Sequence, residues 1–261
     1  MAYRSFIHDP GTGSVFAYIP KVACTNWKAV MRQLAGHEDW LKPGLAHDPK
    51  ASGLVLLAAG DPALARLLDR EGAWLFAMVR NPYTRVLSAY LDKIARRIDG
   101  PKPGRAGRDE AFDRMVERIE AFRADALDPA AFPRISFEVF LRWLEADASP
   151  ACRNEHWAPQ TAILGQWIDR CDGIGRFEAM DRDAPVILRA MGSRVSFPDQ
   201  AKIRFPATAA SDRLAEHYTP AAAEIVRRLY AADFARLGYD PDIGAARAVL
   251  PPLRPHRLPR P

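Results

Sequence analysis

Residues 73–88 read Ala73-Trp74-Leu75-Phe76-Ala77-Met78-Val79-Arg80-Asn81-Pro82-Tyr83-Thr84-Arg85-Val86-Leu87-Ser88, and this stretch decides the fold. Its first seven residues are continuously apolar, as a strand buried on both faces of a parallel sheet must be. The run stops at Arg80. Asn81 then caps a helix, and Pro82 takes the first helical position, where its missing N–H costs nothing. The helix gathers Val86, Leu87, Tyr90, Leu91 and Ile94 on one face, leaving Arg85, Ser88 and Asp92 on another.

Upstream, Val15–Ile19 (VFAYI) is a second, shorter strand pattern, aromatic and β-branched. It runs through PKVACTN into a helical pattern, with Thr25 or Asn26 as N-cap and Gly36 as its stop. Downstream, amphipathic helices are expected near Glu110–Arg123 and Ser136–Ala146, then a strand at Ile174–Ala179 and a helix from about Asp181. A last helix is expected from about Pro220 to Leu237, stopped by Gly238. Strands alternating with helices predict an α/β fold around a parallel sheet. The expected organisation is one domain over 1–250 with a helical insertion at about 96–150, then a Pro/Arg-rich tail at 251–261.

The chain has 261 residues, 48% hydrophobic and 26% charged, enough to bury a full core and unlike a disordered or fibrous protein. No apolar run approaches the roughly 18–20 residues of a membrane helix, and MAYRSFIHDPGTG has no signal-peptide core, so a soluble protein is expected. The net charge of +5 is localised. Residues 96–108 carry +4 and the tail +3, leaving the other 237 residues at −2. That distribution suits solvated segments, or a basic lip for an anionic substrate, better than a broad nucleic-acid face. Cys24, Cys152 and Cys171 are odd in number with no CxxC spacing, which argues against a disulfide framework or zinc site and fits a reducing compartment.

Two strand-to-helix junctions carry chemistry, because helix N-termini beyond strand ends aim backbone N–H groups at anions. Pro20 to Asn26 combines small residues, a lysine and a hydroxyl, without the GxxxxGK[ST] pattern. By this pattern alone Lys21 is either a phosphate ligand or a surface lysine. At the second junction, Arg80 leaves a buried strand and must pair with something. A phosphate suits its planar fork, and a core carboxylate is the alternative. Two such junctions suggest a ligand with two separated phosphate groups.

These residues carry a resemblance. PKVACTNWK and RNPYTRVLSAY are similar to the two nucleotide-binding motifs of the carbohydrate sulfotransferases, family 2, of the chondroitin/dermatan 4-O-type. EHWAPQ at 155–160, GRFEAM at 175–180 and LYAADFARLGYD at 229–240 match in order and spacing. The resemblance implies a P-loop-like fold and the donor 3′-phosphoadenosine 5′-phosphosulfate. It puts Lys21, Val22, Ala23, Cys24, Thr25 and Asn26 in the loop gripping the 5′-phosphosulfate, Arg80 and Ser88 on the 3′-phosphate, and Phe177 near the adenine. Where the wider superfamily often has glycine, this chain has Ala23. Animal members carry an N-terminal anchor and a cysteine pair, where this chain begins near its first strand and has Leu164 and Trp167. A soluble, cytoplasmic, bacterial-type enzyme is the corresponding expectation.

Sulfuryl transfer would proceed in line, with Lys21 neutralising charge on the leaving oxygen and a general base on the acceptor hydroxyl. His156 is the first candidate for that base and Glu155 the second, against a structural histidine packed beside Trp157. No metal is needed. The acceptor is expected to be a glycan or glycolipid hydroxyl, on an acidic sugar if the basic loop forms its lip, with no nucleic acid partner. Two rivals remain: a glycosyltransferase using Asp181-Arg182-Asp183 as a metal site, and a non-catalytic nucleotide- or RNA-binding module using the basic segments.

Overall fold

The computed structural model describes residues 3, 5–48, 50–70, 73–98, 110–146, 154–198 and 208–252. Most of the basic loop (99–108), Cys152 and the tail beyond Pro252 lie outside the described residues. The chain divides into two compact units, each built from separate stretches of sequence.

The first unit, 1–80 with 160–207 and 248–261, holds a five-stranded sheet. Its strands are β1 Phe6–His8, β2 Ser14–Ala17, β3 Val55–Leu57, β4 Trp74–Val79 and β5 Gly173–Arg176, in the order β3-β1-β2-β4-β5. The α/β class holds and the sheet is mixed. The strands β2, β4 and β5 are parallel, in register Phe16↔Phe76 and Ala77↔Ile174, whereas β1 runs antiparallel to β2 and to β3. The expected parallel sheet is therefore one part of the observed sheet, and an antiparallel pair extends it on one side. As the continuous apolar run requires, Leu75 to Val79 of β4 are all buried. Phe16 stacks on Trp27 at 4.0 Å between centroids, packing the helix Cys24–Leu34 onto the sheet. A Cβ on Gly175 would sit 2.5 Å from Met78 Sδ and 2.9 Å from Asp183 Cβ, so only glycine lets β5 lie this close to its neighbours.

The second unit, 81–159 with 208–247, is helical. Asn81 accepts the Tyr83 N–H at 3.0 Å and Pro82 opens the helix Pro82–Tyr90, which continues as a π-helical turn through Ala95. The helices Glu110–Ala126 and Phe137–Ala146 lie where their periodicity put them. The core is aromatic: Tyr90, Phe137, Phe140, Trp143 and Trp157 are buried, with Phe140 edge-on to Trp157 at 5.4 Å. The expected Pro220–Leu237 helix is two, Pro220–Leu229 and Ala231–Leu237, because Tyr230 leaves helical geometry at φ −114°. Gly238 closes the second in left-handed geometry, as its position suggested.

Candidate functional site

Beyond β2 the chain enters a tight loop in which two residues with side chains adopt left-handed geometry, Lys21 at φ 69° and Ala23 at φ 51°. An L-residue pays about 1–2 kcal/mol for this conformation. Non-glycine residues held there cluster at ligand clamps, because alternating backbone handedness turns successive N–H groups to one side as an anion nest. Helix Cys24–Leu34 starts at this loop, with Ala23 as N-cap. The predicted caps Thr25 and Asn26 are instead inside the first turn. Alanine has no oxygen to offer, so no side chain caps the first N–H groups. Such an uncapped end suits an anion.

The other residues of the loop are fixed from below. Val22 is buried, Thr25 Oγ1 lies 2.9 Å from His47 Nε2, and Asn26 Nδ2 donates to the Pro198 carbonyl at 3.4 Å. Cys24 is half-buried with a free thiol.

Arg80 ties three elements of this unit together. Its Nη1 donates to the Lys21 carbonyl at 3.0 Å, and its guanidinium carbon lies 4.2 Å from the Phe177 ring centroid. Its own backbone is locked by Gln160, which accepts the Arg80 N–H at 2.9 Å and donates to the Arg80 carbonyl at 2.7 Å. The structure thus brings Lys21, Arg80 and Phe177 into one cluster. Gln160 closes the EHWAPQ motif, yet its role escapes sequence reasoning because its partner is backbone 80 residues away.

Beside this cluster lies a cavity of about 710 Å³ walled in part by Ala23, Asn26, Phe177, Asp181, Arg189 and Phe197. That size is typical of small-molecule sites, and two aromatic rings with an arginine suit a base joined to phosphates. Asp183 does not act as a metal ligand here. It is buried, accepts the Arg176 N–H at 2.7 Å and pairs with Arg182 at 2.6 Å. The aspartate pair read as a possible metal site is therefore a structural brace at one of its two members.

Ser88 and His156 belong to the second unit. Ser88 is buried, with Oγ 2.9 Å from Thr208 Oγ1. His156 is half-buried, its ring edge-on to Phe112 at 5.4 Å and its Nδ1 2.7 Å from Asn154 Oδ1. Glu155 is half-buried, and its carbonyl accepts from Arg85 Nη2 at 2.9 Å. Asn154 was not anticipated, although asparagine commonly forms an Asx-turn by accepting the backbone N–H two residues on, as it does here from His156.

Comparison with known proteins agrees with these motifs. The model of the Sulfotransferase family matches residues 4–240. The chain is similar to carbohydrate sulfotransferase 14 of Homo sapiens, 33% identical over 74% of this chain and 46% of that protein. The Danio rerio carbohydrate sulfotransferase 14 is 30% identical over 86% of this chain and 59% of its own length. Carbohydrate sulfotransferase 11 of Danio rerio is 29% identical over 80% and 57%. The chain spans about half the length of the curated relatives it matches. No solved structure matches it.

Proposed function

The chain belongs to the sulfotransferase family, and from that premise we propose that it moves a sulfuryl group from 3′-phosphoadenosine 5′-phosphosulfate to a hydroxyl of a carbohydrate acceptor. The observation that carries this reading is the strained loop of Lys21 and Ala23, which opens an uncapped helix beside Arg80, Phe177 and a cavity of about 710 Å³. The carbohydrate class is supported by the names of the relatives, and an acidic glycan by the basic loop of the sequence.

In this reading the first-turn N–H groups and Lys21 take the 5′-phosphosulfate, Arg80 and Ser88 the 3′-phosphate, and Phe177 the adenine. The donor supplies the sulfuryl group. As the acceptor oxygen bonds to sulfur, the bond from sulfur to the 5′-phosphate oxygen breaks, and Lys21 neutralises the charge left there. His156 takes the hydroxyl proton. The cytoplasm is the compartment we assign, supported by three cysteines without paired spacing. Among the described residues no helix is long and apolar enough to cross a membrane.

Calorimetric titration with adenosine 3′,5′-bisphosphate and with adenosine 5′-monophosphate tests the donor site. A dedicated 3′-phosphate contact predicts about 10- to 100-fold tighter binding of the bisphosphate, the worth of a hydrogen bond to a charged group. Arg80→Ala should erase most of that difference. Lys21→Ala should instead lower turnover by roughly 100-fold or more with little change in bisphosphate affinity. Equal or absent binding of both nucleotides would overturn the reading.

A further inference from the structure

We infer that Asn154 holds His156 in the tautomer protonated at Nδ1, so that Nε2 is the nitrogen that takes the acceptor's proton. The inference rests on the reading of His156 as the general base. Two contacts of one atom carry it. Asn154 Oδ1 accepts the backbone N–H of His156 at 3.0 Å and lies 2.7 Å from Nδ1 of the same residue. The first contact identifies the atom, since a backbone N–H can be met only by the amide oxygen and not by its NH2. The group facing Nδ1 is therefore an acceptor with no proton to give. A neutral imidazole carries its proton on one nitrogen and its lone pair on the other. Nδ1, facing an acceptor, carries the proton, and Nε2 carries the lone pair.

The turn that presents the pair is held at four carbonyls. Asn154 O accepts from the N–H groups of Trp157 at 3.1 Å and Ala158 at 2.8 Å. The buried Arg85 donates to the Glu155 carbonyl at 2.9 Å and the Ala158 carbonyl at 2.7 Å, and the Tyr230 hydroxyl reaches the Trp157 carbonyl at 2.6 Å. Asn154 and His156 thus keep their relation through backbone that cannot shift without breaking several hydrogen bonds. Phe112 bounds the ring edge-on at an interplanar angle of 86°.

The residue type matters as well. An aspartate would hold the same proton, but its charge would also favour the imidazolium. A neutral amide sets the tautomer without that bias. Glu155 stands in the same turn, and among the described residues Lys93 and Arg97 lie 5.0 and 5.3 Å from the centroid of Phe112, the ring that meets His156 edge-on. Those cations pair with Asp92 at 3.4 Å and Asp113 at 3.3 Å.

The deciding experiment is long-range 15N–1H correlation NMR of the histidines in the full chain, with the His156 signals identified by their loss in His156→Gln. The wild type should show Nδ1–H and a lone pair on Nε2. Asn154→Ala should give a mixture of tautomers, and Asn154→Asp should restore Nδ1–H. Turnover is followed in parallel as release of adenosine 3′,5′-bisphosphate, with chondroitin as acceptor. Asn154→Ala should lose roughly tenfold in kcat at unchanged donor KM. Asn154→Asp should recover most of kcat and move the acid limb of its pH profile upward. An Nε2–H ring in the wild type, or an unchanged spectrum in Asn154→Ala, would overturn the inference. Full turnover in His156→Gln would instead remove His156 as the base, and the spectra would still decide the tautomer independently.

Discussion

Ala23 at φ 51° is where a single methyl group can be weighed. Its left-handed backbone is held because the Ala23 carbonyl accepts the Trp27 N–H at 3.1 Å and starts the helix, while the preceding Lys21 is pinned through its own carbonyl by Arg80. Replacing Ala23 by glycine removes a conformational cost of about 1–2 kcal/mol and adds about 0.4–1 kcal/mol of unfolded-chain entropy. Ala23→Gly should therefore raise stability by up to about 1.6 kcal/mol in chemical denaturation. A loss of stability would mean that contacts of the methyl outweigh the strain. The strain itself could not be read from the sequence, since neither lysine nor alanine encodes a positive φ. What could be read was chemistry at a junction: Lys21 and Arg80 were singled out by residue type and position, Phe177 by the resemblance alone, and Arg80 touches both of the others. Gln160 and Asn154 escaped notice for the opposite reason, because each acts by bonding to backbone or to a neighbour whose role had first to be known.

The helix Leu214–His217 carries a titration that reaches beyond itself. His217 packs edge-on to Tyr90 at 6.1 Å and to Phe137 at 6.4 Å. Burial holds its pKa below the ordinary 6.5, with Glu216 opposing that shift and Arg213 adding to it. The unfolded chain consequently takes up a proton that the folded chain resists. The contribution is intact above about pH 6.5 and declines as pH falls from there toward the lower folded value. Thermal midpoints should drop between pH 7.5 and about 5.5. The variant His217→Gln should flatten part of that drop, leaving the share due to His8, which burial also lowers. An identical slope in the variant would refute the assignment. Element boundaries, by contrast, show where sequence patterns run out. The strands β1 and β3 have three residues each, too few for an alternation to register. The break at Tyr230 is a tertiary effect, its hydroxyl drawn to the Trp157 carbonyl at 2.6 Å against the helical tendency of its neighbours.

Across the whole molecule, neither unit is contiguous in the chain, since 81–159 departs from the first unit and returns to it, and 208–247 does so again. Closing β4 onto β5 before the intervening segment is ordered forms a loop of about 90 residues, an entropic cost of about 4 kcal/mol plus a constant. Within the first unit, the chain leaves at Arg80 and re-enters at Gln160, and these two residues are bonded to each other through both backbone groups of Arg80. Order in the 81–159 segment shortens the loop that this clasp must close, and the clasp brings together the ends of that segment. We therefore propose one cooperative thermal transition for the entire chain, although it divides into two compact units. Gln160 is fully buried, so Gln160→Ala strands the Arg80 N–H and carbonyl away from water. At about 1–3 kcal/mol for each of the two orphaned groups, the loss is roughly 2–6 kcal/mol. At about 2 °C per kcal/mol for a chain of this size, that corresponds to a midpoint lower by about 4–11 °C. Differential scanning calorimetry separates the possibilities. A single peak that moves down intact in Gln160→Ala supports the clasp as a link in one folding unit. Two peaks in the wild type, with only one of them shifted by the substitution, would mean that the units fold independently and that the clasp serves the first alone.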